Sequence, residues 1–189
     1  SGYQALYSNT TGTGSVGIGY QALYTATTEG SLTAIGYRAA KDNTTGTGTV
    51  AVGYQALTAN TTGEYNSALG YQALYSNTTG SQNTALGFEA LYSNISGLYN
   101  TAIGYESLLN NTGHYNTAVG HLAARANTTG SSNVAVGNGA LYANTSGGNN
   151  SALGYQALYS NTTGTGSVGI GYQALYTATT EGSLTAIGY

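Results

Sequence analysis

One short phrase, Asn-Thr-Ala-Ile-Gly-Tyr with close variants, returns along this chain at a fixed interval, and that interval constrains the fold more than any other feature. It reads Ser15-Val16-Gly17-Ile18-Gly19-Tyr20, then Thr49-Val50-Ala51-Val52-Gly53-Tyr54, then Asn100-Thr101-Ala102-Ile103-Gly104-Tyr105. The glycines stand at Gly2, Gly19, Gly36, Gly53, Gly70, Gly87, Gly104, Gly120, Gly137, Gly154, Gly171 and Gly188. Successive spacings are 17 residues, except for one of 16 between Gly104 and Gly120. A unit this short cannot bury an apolar face alone. It must stack on its neighbours, and regular stacking makes a solenoid.

Within the unit, the residue before the glycine is always aliphatic: Ile18, Ile35, Val52, Leu69, Leu86, Ile103, Val119, Val136, Leu153, Ile170 and Ile187. Two places earlier stands Val, Thr or Ser, and the residue between is only Ala or Gly. Such alternation marks a strand. The expectation is that the aliphatic column points into the coil as its structural core. The small column then faces another closely packed backbone. After the glycine comes Tyr-x-Ala-Leu, often with a second Tyr, as in Tyr71-Gln72-Ala73-Leu74-Tyr75. Two adjacent apolar columns suggest a strand buried on both faces, and so contact with further copies; the same residues also suit one helical turn. Asn77-Thr78-Thr79-Gly80 and its equivalents are turn chemistry, because Asn bonds its own backbone and Gly takes positive φ. In the duplicated block the turn becomes Ala26-Thr27-Thr28-Glu29-Gly30 and Ala178-Thr179-Thr180-Glu181-Gly182. The chain has no Pro, as a coil that donates hydrogen bonds on both sides requires. The fold class expected is all-β: one parallel β-solenoid, or β-roll, over residues 1–189 with a 17-residue coil per repeat.

Composition agrees with stacking. Charged residues make up 5% of the chain, against about a quarter in ordinary globular domains. Equivalent residues of stacked coils lie ~4.8 Å apart, so a column of like charge would cost about 1 kcal/mol per pair even in water. The charges present, among them Glu29, Arg38, Lys41, Asp42, Glu64, Glu89, Glu106, Arg125 and Glu181, are scattered or balanced. Three basic residues and a net charge of −3 argue against nucleic acid as a partner. No apolar run reaches the ~18 residues of a membrane span, so no membrane insertion is expected in this segment. There is no Cys for disulfides and no Met, which suggests that the translational start lies upstream of Ser1.

Catalytic and cofactor motifs are weak. Gly12-Thr13-Gly14-Ser15-Val16-Gly17 fits the dinucleotide fingerprint in letters, but its last glycine falls inside the strand phrase and no helix-length segment follows. His114 and His121 have no partner at metal-ligand spacing. Asp42 is the single Asp, too few for a calcium nonapeptide roll. No elbow or base is placed to activate a Ser or Thr. No enzyme activity, cofactor or metal is expected. Asn-x-Thr/Ser occurs at Asn9, Asn43, Asn60, Asn77, Asn94, Asn110, Asn127, Asn144 and Asn161. These are candidate glycosylation sites on an exposed turn, and equally plain turn residues.

Residues 2–37 recur without change at 154–189. The block is read either as a window on a longer, uncapped fibre or as one local duplication. Asn133-Val134-Ala135-Val136-Gly137 with Ala140, and Ser167-Val168-Gly169-Ile170-Gly171 with Ala174, resemble the head repeats of YadA-like trimeric autotransporter adhesins and similar repeats of phage-type tail fibres. The resemblance covers every repeat. It implies a parallel β-roll, three chains wide, displayed outside the cell for adhesion. The function expected is therefore a non-catalytic, extracellular or cell-surface fibre, structural or adhesive. Its partners would be copies of itself, as a filament or trimer, and a surface receptor or glycan. The alternative is an ice- or carbohydrate-binding solenoid that presents Thr arrays.

Overall fold

The computed structural model describes residues 1–27 and 30–189. Thr28 and Glu29, in the Ala26–Gly30 turn, lie outside the described residues. Eleven three-residue strands follow one another: β1 Val16–Ile18, β2 Thr33–Ile35, β3 Val50–Val52, β4 Ser67–Leu69, β5 Thr84–Leu86, β6 Thr101–Ile103, β7 Thr117–Val119, β8 Val134–Val136, β9 Ser151–Leu153, β10 Val168–Ile170 and β11 Thr185–Ile187. They form one parallel sheet in sequence order, and no helix occurs among the described residues. The chain is a β-solenoid with a 17-residue rise from strand to strand. Pairing is in register throughout, as in Thr84↔Thr101, Ala85↔Ala102 and Leu86↔Ile103. The 16-residue coil keeps that register, with Thr101↔Thr117 and Ile103↔Val119. The missing residue is a Thr of the turn, which here reads Asn111-Thr112-Gly113.

The glycine of each phrase makes the corner after the strand. Gly70 has φ +141°, and a Cβ there would lie 2.2 Å from the Gly87 carbonyl oxygen. No other residue fits so close to the coil above.

The two faces of the strand are the reverse of the expectation. The middle residue points inward, and Ala34, Ala51, Ala102 and Ala118 have no exposed surface. The aliphatic column points outward. Ile18, Ile35, Leu69, Leu86, Val136, Leu153, Ile170 and Ile187 are exposed, and Val52, Ile103 and Val119 are half-buried; Leu69 is 45% exposed. The physical reason is the thinness of the coil. A Cβ built on Gly17 would lie 3.1 Å from Leu6 Cγ and 3.4 Å from the Ala22 carbonyl oxygen. The opposite wall is that near, so only a methyl fits between it and the sheet. The backbone pressed against the small column is the chain's own.

The opposite wall is Tyr-x-Ala-Leu-Tyr, and it is neither strand nor helical turn. Gln72 and Leu74 have φ of 51° and 52°, and the pattern repeats at Gln55 and Leu57 and at Glu89 and Leu91. Left-handed residues alternate with ordinary ones, and the backbone amides bond in both axial directions. The Gln72 amide donates to Tyr54 O at 2.9 Å, in the coil before, and the Leu74 amide to Ala90 O at 3.0 Å, in the coil after. Each left-handed Leu costs about 1–2 kcal/mol, which this bonding and complete burial offset. The twist also turns adjacent side chains to one side, so that Ala73 and Leu74 are both fully buried. One chain buries both columns without a further copy.

Candidate interaction surface

The sheet leaves its outer face open. Two columns stand on it, one of Val, Thr and Ser from the first strand position and one of Ile, Leu and Val from the third. Neither carries a charge in any of the eleven strands. Between them runs a trough, about 240 Å³ where it crosses β3 to β5. Ala68 and Ala85 floor it, Val50, Ser67 and Thr84 form one wall, and Leu69 and Leu86 form the other.

Around the corner from the aliphatic column, aromatic rings stack coil on coil. The file runs Tyr3, Tyr20, Tyr37, Tyr54, Tyr71, Phe88, Tyr105 and His121, with Tyr54 and Tyr71 centroids 5.1 Å apart. Asn138 interrupts it, and Tyr155, Tyr172 and Tyr189 resume it. A second, shorter file holds Tyr142, Tyr159 and Tyr176. Ring faces are covered by ring faces, so these columns present edges and hydroxyls. Burial, and then the neighbouring Tyr142 and Tyr176 hydroxyls, push Tyr159 above the usual phenol range. Tyr92 is raised by burial first and by Tyr75 and Glu89 after it.

The asparagines of most sequons are core. Asn43, Asn60, Asn77, Asn94, Asn127, Asn144 and Asn161 are fully buried. Their amides form an axial ladder: Asn60 Nδ2 donates to Asn43 Oδ1 at 2.6 Å, Asn77 to Asn60 at 2.8 Å and Asn94 to Asn77 at 2.9 Å. Beyond the short coil, Asn127 donates to Asn111, Asn144 to Asn127 and Asn161 to Asn144. Each Nδ2 also bonds the glycine of its own turn, as Asn77 does to Gly80 O at 2.9 Å. A glycan attaches through that nitrogen, which is buried and occupied, so glycosylation at these seven positions is overturned. Asn9 and Asn110 are half-buried and keep the turn role alone or with modification. At the short coil it is Asn111, beside the sequon residue, that occupies the ladder site.

Sequence reasoning missed a second ladder, Asn66, Asn83, Asn100, Asn116, Asn133 and Asn150, all buried. Here the acceptor serves the next coil's backbone as well: Asn83 N donates to Asn66 Oδ1 at 3.0 Å, and Asn100 N to Asn83 Oδ1 at 2.9 Å. Both ladders meet at the turn, where Gly80 O accepts from Asn66 at 2.7 Å and from Asn77. The signal was in the chain, as an Asn three residues after the turn glycines Gly63, Gly80, Gly97, Gly113, Gly130 and Gly147.

Charged and imidazole groups are paired or isolated. Lys41 meets Asp42 at 2.8 Å, and Arg125 pairs with Glu106. Burial raises the Glu106 carboxyl, but the hydrogen bonds from Arg125 and Tyr105 outweigh it and hold the group below the carboxylate range. Arg38 lies 5.2 Å over the Tyr37 ring. His114 Nδ1 accepts from the Leu98 amide at 3.1 Å. No group of three metal-ligating side chains occurs among the described residues. Gly17, the last glycine of the nucleotide-like fingerprint, sits in the middle of β1. Comparison with protein-family models, curated proteins and solved structures finds no match to this chain.

Proposed function

We propose that this chain is a non-catalytic fibre segment, structural or adhesive, displayed outside the cell as the YadA-like resemblance implies. The observation that carries the reading is the use to which its polar side chains are put. The buried Asn columns bond the neighbouring coil. So do the turn threonines, with Thr61 Oγ1 donating to Thr78 O at 3.0 Å, and the glutamines, with Gln72 donating to Gln55 at 2.9 Å. Side chains that in an enzyme converge on a substrate are here directed along the axis. Electron microscopy with light scattering at rising concentration tests the reading. Straight rods that lengthen with concentration are expected, and a particle that stays at single-chain length throughout overturns it.

The second reading, ice or carbohydrate binding, is favoured by one observation. Thr33, Thr84, Thr101, Thr117 and Thr185 stand in one column on the outward side of the sheet. Val16, Val50, Val134 and Val168 interrupt that column, which weakens a hydroxyl lattice. Thermal hysteresis of a dilute solution measures it directly, and freezing-point behaviour identical to buffer removes the ice-binding form.

A further inference from the structure

We infer that the outer face of the sheet docks a second copy of this chain, sheet against sheet, with the aliphatic ridge of each copy seated in the trough of the other. The inference rests on the fibre reading and names the surface that joins two rods.

Parallel sheets are found covered on both faces. Here Leu23, Leu57, Leu74 and their equivalents cover the inner face, and the described residues leave the outer one bare. Eleven strands at ~4.8 Å give a face roughly 50 Å long, and two side-chain columns make it roughly 14 Å wide. That is about 700 Å² per chain, above the patch of about 300–600 Å² that an ordinary monomer exposes. A face-to-face pair would bury about 1,400 Å², inside the range of about 1,200–2,000 Å² for specific stable interfaces.

Three further features select a copy of the same chain as the occupant. The face is uncharged from β1 to β11, so nothing on it attracts a charged partner or repels its own kind. Its relief is self-complementary: a ridge of Ile, Leu and Val runs beside a trough walled by Leu86 and Thr84. A second rod has the same axial period, so ridge and trough stay matched along the whole length. The one irregular coil does not break this match, because its deletion falls in the turn while Ile103↔Val119 keeps register. The other walls of the rod carry stacked rings edge-on, hydroxyls and turn amides. Each chain has one such face, so the contact is isologous and closes at two.

The experiment compares mass per unit length of the rods in scanning transmission electron microscopy. The wild-type chain should show two chains per cross-section, that is, twice the 19.1 kDa of one chain per single-chain length. The double variant Leu69→Lys/Leu86→Lys should show half of that, with an unchanged far-ultraviolet spectrum. Rods one or three chains across in the wild type overturn the proposal, and so does a folded lysine variant that stays two chains across. Should the lysines prevent folding, the chain's lack of Cys allows a second test. Ile103→Cys, on the ridge of the middle strand β6, should form interchain disulfides on mild oxidation several-fold faster than Thr79→Cys on the turn; equal rates overturn the pairing. Rod length reports on the fibre reading and rod cross-section on the pairing, so either can fail without the other.

Discussion

Ala102 and Ile103 are neighbours in β6 with opposite fates, one wholly buried and the other facing outward. Ala102→Leu should therefore destabilise a single coil by overpacking, by about 1–3 kcal/mol, and lower the thermal midpoint followed by circular dichroism. Ile103→Asp should keep the far-ultraviolet spectrum and cost a single rod about 0.5 kcal/mol or less. That the residues alternate was legible from the sequence, because period 2 is a backbone property. Which set lies inside was not. The rule that larger apolar residues go inward assumes room, and room depends on how closely Leu6 and its equivalents approach the sheet. Ionisation adds a second test at this scale. Tyr92 and Tyr159 are raised, so their neutral forms stabilise the fold fully below the ordinary phenol value near 10. That contribution is lost as pH climbs through the raised values. Spectrophotometric titration should show these phenolates appearing late, and melting temperature should fall above pH ~10. Glu106 is lowered, so its pairing with Arg125 holds above the usual carboxylate range and is lost as pH falls through the depressed value.

At the scale of the element, the turn carries the finest test of the ladder. Asn94 Oδ1 and Asn161 Oδ1 are the buried side-chain oxygens without a partner among the described residues. Asn161 precedes the coil in which Ala178 stands at the ladder site. Asn94 precedes the short coil, where Asn111 turns its amide to Gly113 O at 3.0 Å. Inserting a Thr between Thr112 and Gly113 restores the full turn. It should let Asn111 donate to Asn94, and so raise stability by about 1–3 kcal/mol, read as a higher denaturation midpoint. Asn77→Ala should do the opposite by a similar amount, because Asn60 Oδ1 and Gly80 O then lose a donor. The strands and turns were readable from alternation and from Asn-Thr-Thr-Gly. The Tyr-Gln-Ala-Leu-Tyr wall was not, since propensity scales contain no left-handed Leu. Leu74 takes that form because stacked coils on both sides bond its backbone, which a single repeat cannot reveal. The sequons misled for a related reason: a turn Asn is solvent-facing in isolation and becomes interior only when its amide meets the next one.

For the whole molecule, stacking was legible from the period alone, and the parallel in-register sheet follows from it. The openness of the outer face was not, being the inverse of the misjudged core. One further property follows from the ladder's gaps. Axial hydrogen bonds tie one coil to the next alongside the stacked rings and the packed Ala and Leu columns, and a rod stretched end to end loads them directly. The laddered asparagines form two unbroken series, Asn43 to Asn94 and Asn111 to Asn161, separated at the short coil. That level lacks this tie and also the turn bonds of its neighbours, where Thr78 and Thr79 amides donate to Ile95 O and Thr112 and Gly113 amides to Thr128 O. Held between optical tweezers, the laddered coils should crack first between Asn94 and Asn111, parting into two blocks rather than one coil at a time. The Thr insertion should move the fracture elsewhere. A single missing residue, silent in the shape of the rod, would set where the material breaks.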